Sequence, residues 1–150
     1  MTNYDTNTLT QTLYSKCELL VQLRNLGARQ NELIEAGELG QLLNLLAEKQ
    51  RLLDGLQRIE RQLDPFRGQS PDDRDWPSPE DRQRSAELAA ACEELLAEVA
   101  ESERQSAVKL QLRRDEAATQ LQAVHVAVQA RAAYVAAGGP GFSHVDLSAE

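Results

Sequence analysis

The chain has 150 residues, a formal net charge of −8 and only 4% aromatic residues. Such an acidic chain repels phosphate backbones and anionic lipid surfaces, so nucleic acid and membrane are poor partners, and no apolar run approaches the roughly 20 residues that span a bilayer. Leu, Ala, Glu, Gln and Arg dominate. These are strong helix formers, and with so few aromatics they predict a thin Leu/Ala seam rather than a thick core. The expected class is all-α: one domain over residues 1–150, an antiparallel helical hairpin plus a very long third helix in a coiled-coil-like bundle. The opening Met1-Thr2-Asn3-Tyr4-Asp5 has no basic segment followed by an apolar one, which predicts a cytoplasmic protein.

The first helix is predicted over 8–36, with Leu9, Leu13, Cys17, Leu19, Leu20, Leu23, Leu26, Leu33 and Ile34 at steps of mostly three and four. Gly37 supplies its C-cap. A second helix follows at once, over 38–65. Leu39, Leu42, Leu46, Leu53, Leu56 and Leu63 form one seam, with Leu45, Leu52, Ile59 and Phe66 beside it at seven-residue spacing. Asp54 and Arg58 are placed as a helix-surface pair, and Pro65 and Gly68 stop the helix. So short a link at Gly37 forces an antiparallel hairpin whose arms are about 40 Å long.

Residues 67–77 form the linker, rich in Pro, Gly, Ser and Asp. Ser70-Pro71-Asp72-Asp73 could start one helical turn there. Trp76 is expected to plug the end of the hairpin with its ring, since buried aromatic area contributes heavily to packing. Ser78 then reads as an N-cap, Pro79 suits the first helical position, and Glu80 and Asp81 complement the helix dipole. No Pro or Gly recurs until Gly138, so the third helix is predicted over 79–137. The polar stretch Glu101-Ser102-Glu103-Arg104-Gln105-Ser106 interrupts its apolar stripe and marks either a waist in the packing or a hinge. A short flexible tail is expected over 138–150.

A hairpin of about 40 Å covers only half of a straight helix of roughly 85–90 Å. Leu110, Leu121, Val124, Val128 and Val135 are then left without an internal partner, at roughly 1.5–3 kcal/mol for each side chain not fully buried. Three outcomes are open: the helix breaks near 102–106 and folds back, it pairs with a second copy, or it waits for a client helix.

Little suggests chemistry. Cys17 and Cys92 lack ligand-like spacing and read as small, reduced, partly buried residues, although a bridge becomes available if the helices bring them together. His125 and His144 are the only histidines, with no companion ligands at metal-binding spacing. Glu93, Glu94, Glu98, Glu101 and Glu103 read as a solvated acidic face. The stretch Gly138-Gly139-Pro140-Gly141 neither follows a strand nor opens a helix, so it is no phosphate loop. No cofactor and no enzymatic activity are expected.

Within Cys17 to Arg67 the pattern becomes more specific. Leu33-Ile34-Glu35-Ala36-Gly37-Glu38-Leu39 leads into Leu42-Leu43-Asn44-Leu45-Leu46-Ala47-Glu48-Lys49-Gln50-Arg51-Leu52-Leu53, followed by Leu56, Ile59-Glu60 and Leu63. This resembles the FlgN family of flagellar export chaperones, in which a small-Gly-acidic-Leu turn joins two helices before a leucine-rich segment with a central Lys-Gln. The match covers about a third of the chain. The third helix matches in length and Ala/Glu character. The resemblance implies a small cytoplasmic protein that holds hook-associated (hook–filament junction) proteins before export through its C-terminal helical region. It implies delivery to the cytoplasmic domain of the flagellar type III export gate, with transport driven by the export ATPase and the proton-motive force. Leu110, Leu121, Val124, Val128 and Val135 are then the client face and Tyr134 the gate-docking residue. The alternative is a coiled-coil adaptor or scaffold that forms a homodimer through the same stripe.

Overall fold

The computed structural model describes residues 5–138, and the chain is all-α. Helix α1 spans Thr6–Ala36, α2 Leu39–Leu63 and α3 Pro79–Ala136, with short 3-10 turns at Asp64–Phe66 and Pro71–Asp73. The tail expected after Gly138, with Phe142 and His144, lies outside the described residues.

Local chemistry sets each boundary. α1 starts at Thr6, two residues earlier than periodicity suggests, because Asp5 caps it: the Asn7 N–H donates to Asp5 Oδ1 at 3.0 Å and Thr8 Oγ1 to Oδ2 at 2.9 Å. Gly37 ends α1 at φ 73°, a left-handed conformation that glycine adopts without strain. The Gly37 and Glu38 N–H groups then reach back to the carbonyls of Ile34 and Leu33. α2 stops as an α-helix at Leu63, and the last turn tightens through Pro65, which has no N–H to continue the ladder. α3 opens with Ser78 accepting from the Asp81 N–H at 3.2 Å and donating to Asp81 Oδ2 at 2.9 Å.

The chain divides into two units, residues 1–109 and 110–150. In the first unit α2 runs antiparallel to α1, and the first part of α3 runs parallel to α1. Cross-links between α1 and α3 keep a nearly constant sequence separation: 75 for Cys17–Cys92, 74 for Arg24–Glu98 and 75 for Asn31–Ser106. The last of the series is the Lys109–Glu35 ion pair at 2.6 Å.

Three small leucine-rich clusters form the interior. Leu9, Leu13, Leu63 and Phe66 close the base, with Trp76 packed on them as the plug expected from sequence. Leu20, Leu23 and Cys92 hold the middle, and Leu33, Ile34, Leu42 and Leu45 hold the turn end. Each fully buried leucine contributes roughly 1.5–3 kcal/mol. Two expectations for α2 are corrected. Leu39 and Leu46 belong to no buried seam but face solvent with Leu43. The helix carries leucine on more sides than its neighbours can cover. Asp54 accepts from Gln50 Nε2 at 3.0 Å, and no Asp54–Arg58 pair occurs among the described residues.

The polar stretch 101–106 is a waist in an unbroken helix, not a break. At this level α1 presents Gly27, Gln30 and Asn31. Ser106 Oγ, almost fully buried, donates to Asn31 Oδ1 at 2.5 Å, and Asn31 Nδ2 donates to Ser102 Oγ at 3.4 Å. Lys49 of α2 joins Gln30 to Glu103 through its ammonium. Small side chains let the helices approach closely, and no buried side-chain polar atom among the described residues is left without a partner. The linker is equally well tied. Thr6 Oγ1 donates to the Asp75 carbonyl, Trp76 Nε1 to that of Pro71, and Arg74 to that of Phe66.

Candidate protein-binding surface

From Leu110 to Gly138 every residue is exposed. The backbone stays helical to Ala136, and Gly138 caps it at φ 71° with its N–H on the Val135 carbonyl. Eight alanines between 110 and 136 favour the helix intrinsically. Local side-chain bonds add to this: Gln111 Nε2 to Asp115 Oδ1 at 3.1 Å and Arg114 to Gln111 Oε1 at 2.9 Å. Helices without tertiary cover are marginal in water, so these short-range terms matter here.

The apolar side chains are organised. At 100° per residue, Leu110, Leu121, Val124, Val128 and Val135 fall within an arc of about 60°. Leu121 is 71% exposed, Val128 60% and Val124 59%. Leu121, Val128 and Val135 repeat at seven residues, as do Leu110, Ala117 and Val124, so the stripe has the two interleaved series that a second helix packs against. All five residues named from the sequence therefore share one exposed face. Tyr134 does not join them. Half-exposed, it lies roughly 110° round the helix from the centre of the stripe.

Sequence reading missed a second apolar side. Leu112 and Val126 are both more than half exposed. With Thr119 and Ala133 between and after them at seven-residue spacing, they lie roughly opposite the first stripe. Ala118, Thr119, Gln122, Ala123, Val126 and Ala127 line a shallow concavity there. The signal was present as a period of seven, but Thr119 and Ala133, at two of its four positions, contribute little to an apolar pattern.

A cavity of about 450 Å³ at the base of the first unit is lined by Leu9, Phe66, Trp76 and Ala86, with Lys16, Arg67 and Arg82 at its edge. Those cations are already paired internally: Lys16 with Glu60 at 2.7 Å, Arg67 with Glu60 and Asp64, and Arg82 with Asp72 at 2.6 Å. Burial raises the Glu60 carboxyl, but hydrogen bonds from Lys16 and Arg67 outweigh it and hold the group below its ordinary value. Among the described residues no group of three or more His, Cys, Asp or Glu side chains is placed to hold a metal ion. Of the acidic face, Glu98 meets Arg24, Glu101 meets Arg104 and Glu103 meets Lys49.

Compared with protein-family models, curated proteins and solved structures, the chain matches none. Among the described residues no helix is long and apolar enough to cross a membrane.

Proposed function

We propose that this protein is a cytoplasmic export chaperone that binds hook-associated proteins of the flagellum and delivers them to the type III export gate, without catalysing a reaction. The observation that carries this reading is the stripe Leu110, Leu121, Val124, Val128 and Val135, exposed along a continuous helix. Water is a poor environment for such a stripe, and an amphipathic client helix laid along it would remove the cost. The client end of a hook-associated protein, itself prone to assemble, would be shielded in the same step. Tyr134 is proposed for gate docking. Its position away from the stripe leaves it accessible while the stripe is occupied.

The test is the double substitution Leu121→Glu and Val128→Glu. Each apolar side chain buried by a client contributes roughly 1.5–3 kcal/mol, so losing two weakens binding by about two to four orders of magnitude. Far-UV circular dichroism should be unchanged, because both positions are exposed in the free protein. Equal co-purification of a hook-associated protein with variant and parent would rule out this face.

The interleaved seven-residue series also supports a second reading, a coiled-coil adaptor that dimerises through the same residues. Light scattering separates them. A tight dimer that hides Leu121 and Val128 supports the adaptor, whereas a monomer, or a weak self-associate displaced by client, supports the chaperone.

A further inference from the structure

We infer that Cys17 and Cys92 are a paired-thiol modification site, at which a low-molecular-weight disulfide converts two free thiols into a reversible cross-link between α1 and α3. This does not depend on the chaperone reading, since both residues lie in the first unit.

The juxtaposition is built by the fold. The two residues are 75 apart in sequence, yet their sulfurs lie 2.6 Å apart as free thiols. Each thiol is aimed across the helix interface. Cys17 Sγ donates to the Leu88 carbonyl at 3.3 Å, and Cys92 Sγ lies 3.5 Å from the Leu13 carbonyl. Cys92 is buried in one cluster with Leu20 and Leu23, Cys17 packs against that cluster, and the Arg24–Glu98 contact further along keeps the same register. A disulfide bond is about 2.05 Å long, so two sulfurs already in contact have only a short way to close. Among the described residues no third ligand makes the pair a metal site.

The two thiols are not equivalent. Cys92 is 2% exposed, while Cys17 is half-buried and so is the more accessible residue of the two. Burial, with the neighbouring Cys17 second, pushes the Cys92 thiol up to about 12. Cys17 therefore reacts first. As thiolate it attacks one sulfur of a disulfide RSSR, forming a Cys17–SR mixed disulfide and expelling RS⁻. Cys92 Sγ then loses its proton and attacks Cys17 Sγ, the Cys17–SR bond breaks, and a second RS⁻ leaves. RSSR is reduced to two RSH and the protein loses two hydrogens. By linkage, the factor by which folding raises the effective concentration of one thiol about the other is the factor by which the cross-link lowers the unfolding constant.

The experiment equilibrates the full chain in mixtures of reduced and oxidised glutathione, in native buffer and in concentrated urea, with an acid quench and mass spectrometry. The expected native product is a monomer lighter by two hydrogens, formed at a glutathione ratio at least about tenfold more reducing than the unfolded chain requires. Oxidation should raise the urea midpoint, and dithiothreitol should reverse it. Cys92→Ser should give only a singly glutathionylated chain. An unfolded chain that oxidises as readily as the native one would overturn the proposal. So would a native product that is an intermolecular dimer or carries two glutathiones.

Discussion

Gly27→Ala tests a close approach of α1 and α3 directly. A Cβ at position 27 would lie 2.7 Å from Ser102 Oγ and 3.4 Å from Ser102 Cβ, so the serine must move. Alanine is intrinsically better than glycine inside a helix by about 1 kcal/mol. Against this stands crowding of a packed interface, at about 1–3 kcal/mol. Moving Ser102 also removes the acceptor that Asn31 Nδ2 uses at 3.4 Å, and an unsatisfied buried donor costs at least about 1 kcal/mol. The net expectation is destabilisation by about 1–3 kcal/mol. The same change in a Ser102→Ala background should reverse sign and stabilise by up to about 1 kcal/mol, because the 2.7 Å contact is gone and only helix propensity remains. Gly40→Ala, with nothing within 4 Å, is the control and should stabilise in either background. Urea unfolding followed by Trp76 fluorescence and far-UV circular dichroism measures all of these. A Gly27→Ala effect identical with and without Ser102 would show that the two helices do not meet as described.

Three further outcomes are expected. Glu60 titrates below its ordinary value of 4.5, so its ion pairs stabilise the fold above that pH and are lost as pH falls through the lowered folded value; Glu60→Gln should flatten the fall in urea-unfolding free energy on acidification below 4.5. Trp76→Ala should destabilise by about 2 kcal/mol in urea titrations followed by circular dichroism, roughly half the cost of removing a fully buried aromatic, because the ring is only partly covered by the base cluster. Tyr134→Ala should leave the affinity for a hook-associated protein unchanged in calorimetry while weakening capture by the gate's cytoplasmic domain; equal loss of both would place Tyr134 in the client face.

The helices and their ends were legible because their causes are local. Ser78-Pro79 at the start of α3 and Gly37 at the end of α1 act within one turn of backbone, and the leucine period shows through any tertiary arrangement. The exposed stripe was also legible, since five apolar residues on one arc follow from helix geometry once the helix is long. What periodicity hid depends on a partner element. Leu39, Leu43 and Leu46 look as apolar as Leu42 and Leu45, and only the position of α1 decides which pair is covered. The polar run at Ser102 and Ser106 reads as a candidate hinge in one dimension. In three, it fits against Gly27 and Asn31, where small and hydrogen-bonding side chains are what a close approach requires.

Composition and spacing by themselves determined an all-helical chain, its turn at Gly37 and the apolar arc from Leu110 to Val135, because each is set by interactions that reach no further than a turn or two of helix. Only the tertiary structure decided that two thiols 75 residues apart come into contact, and that serines in α3 pair with an asparagine in α1. Those pairings depend on the register between α1 and α3, which is the joint result of many side-chain contacts and is written in no single stretch of sequence.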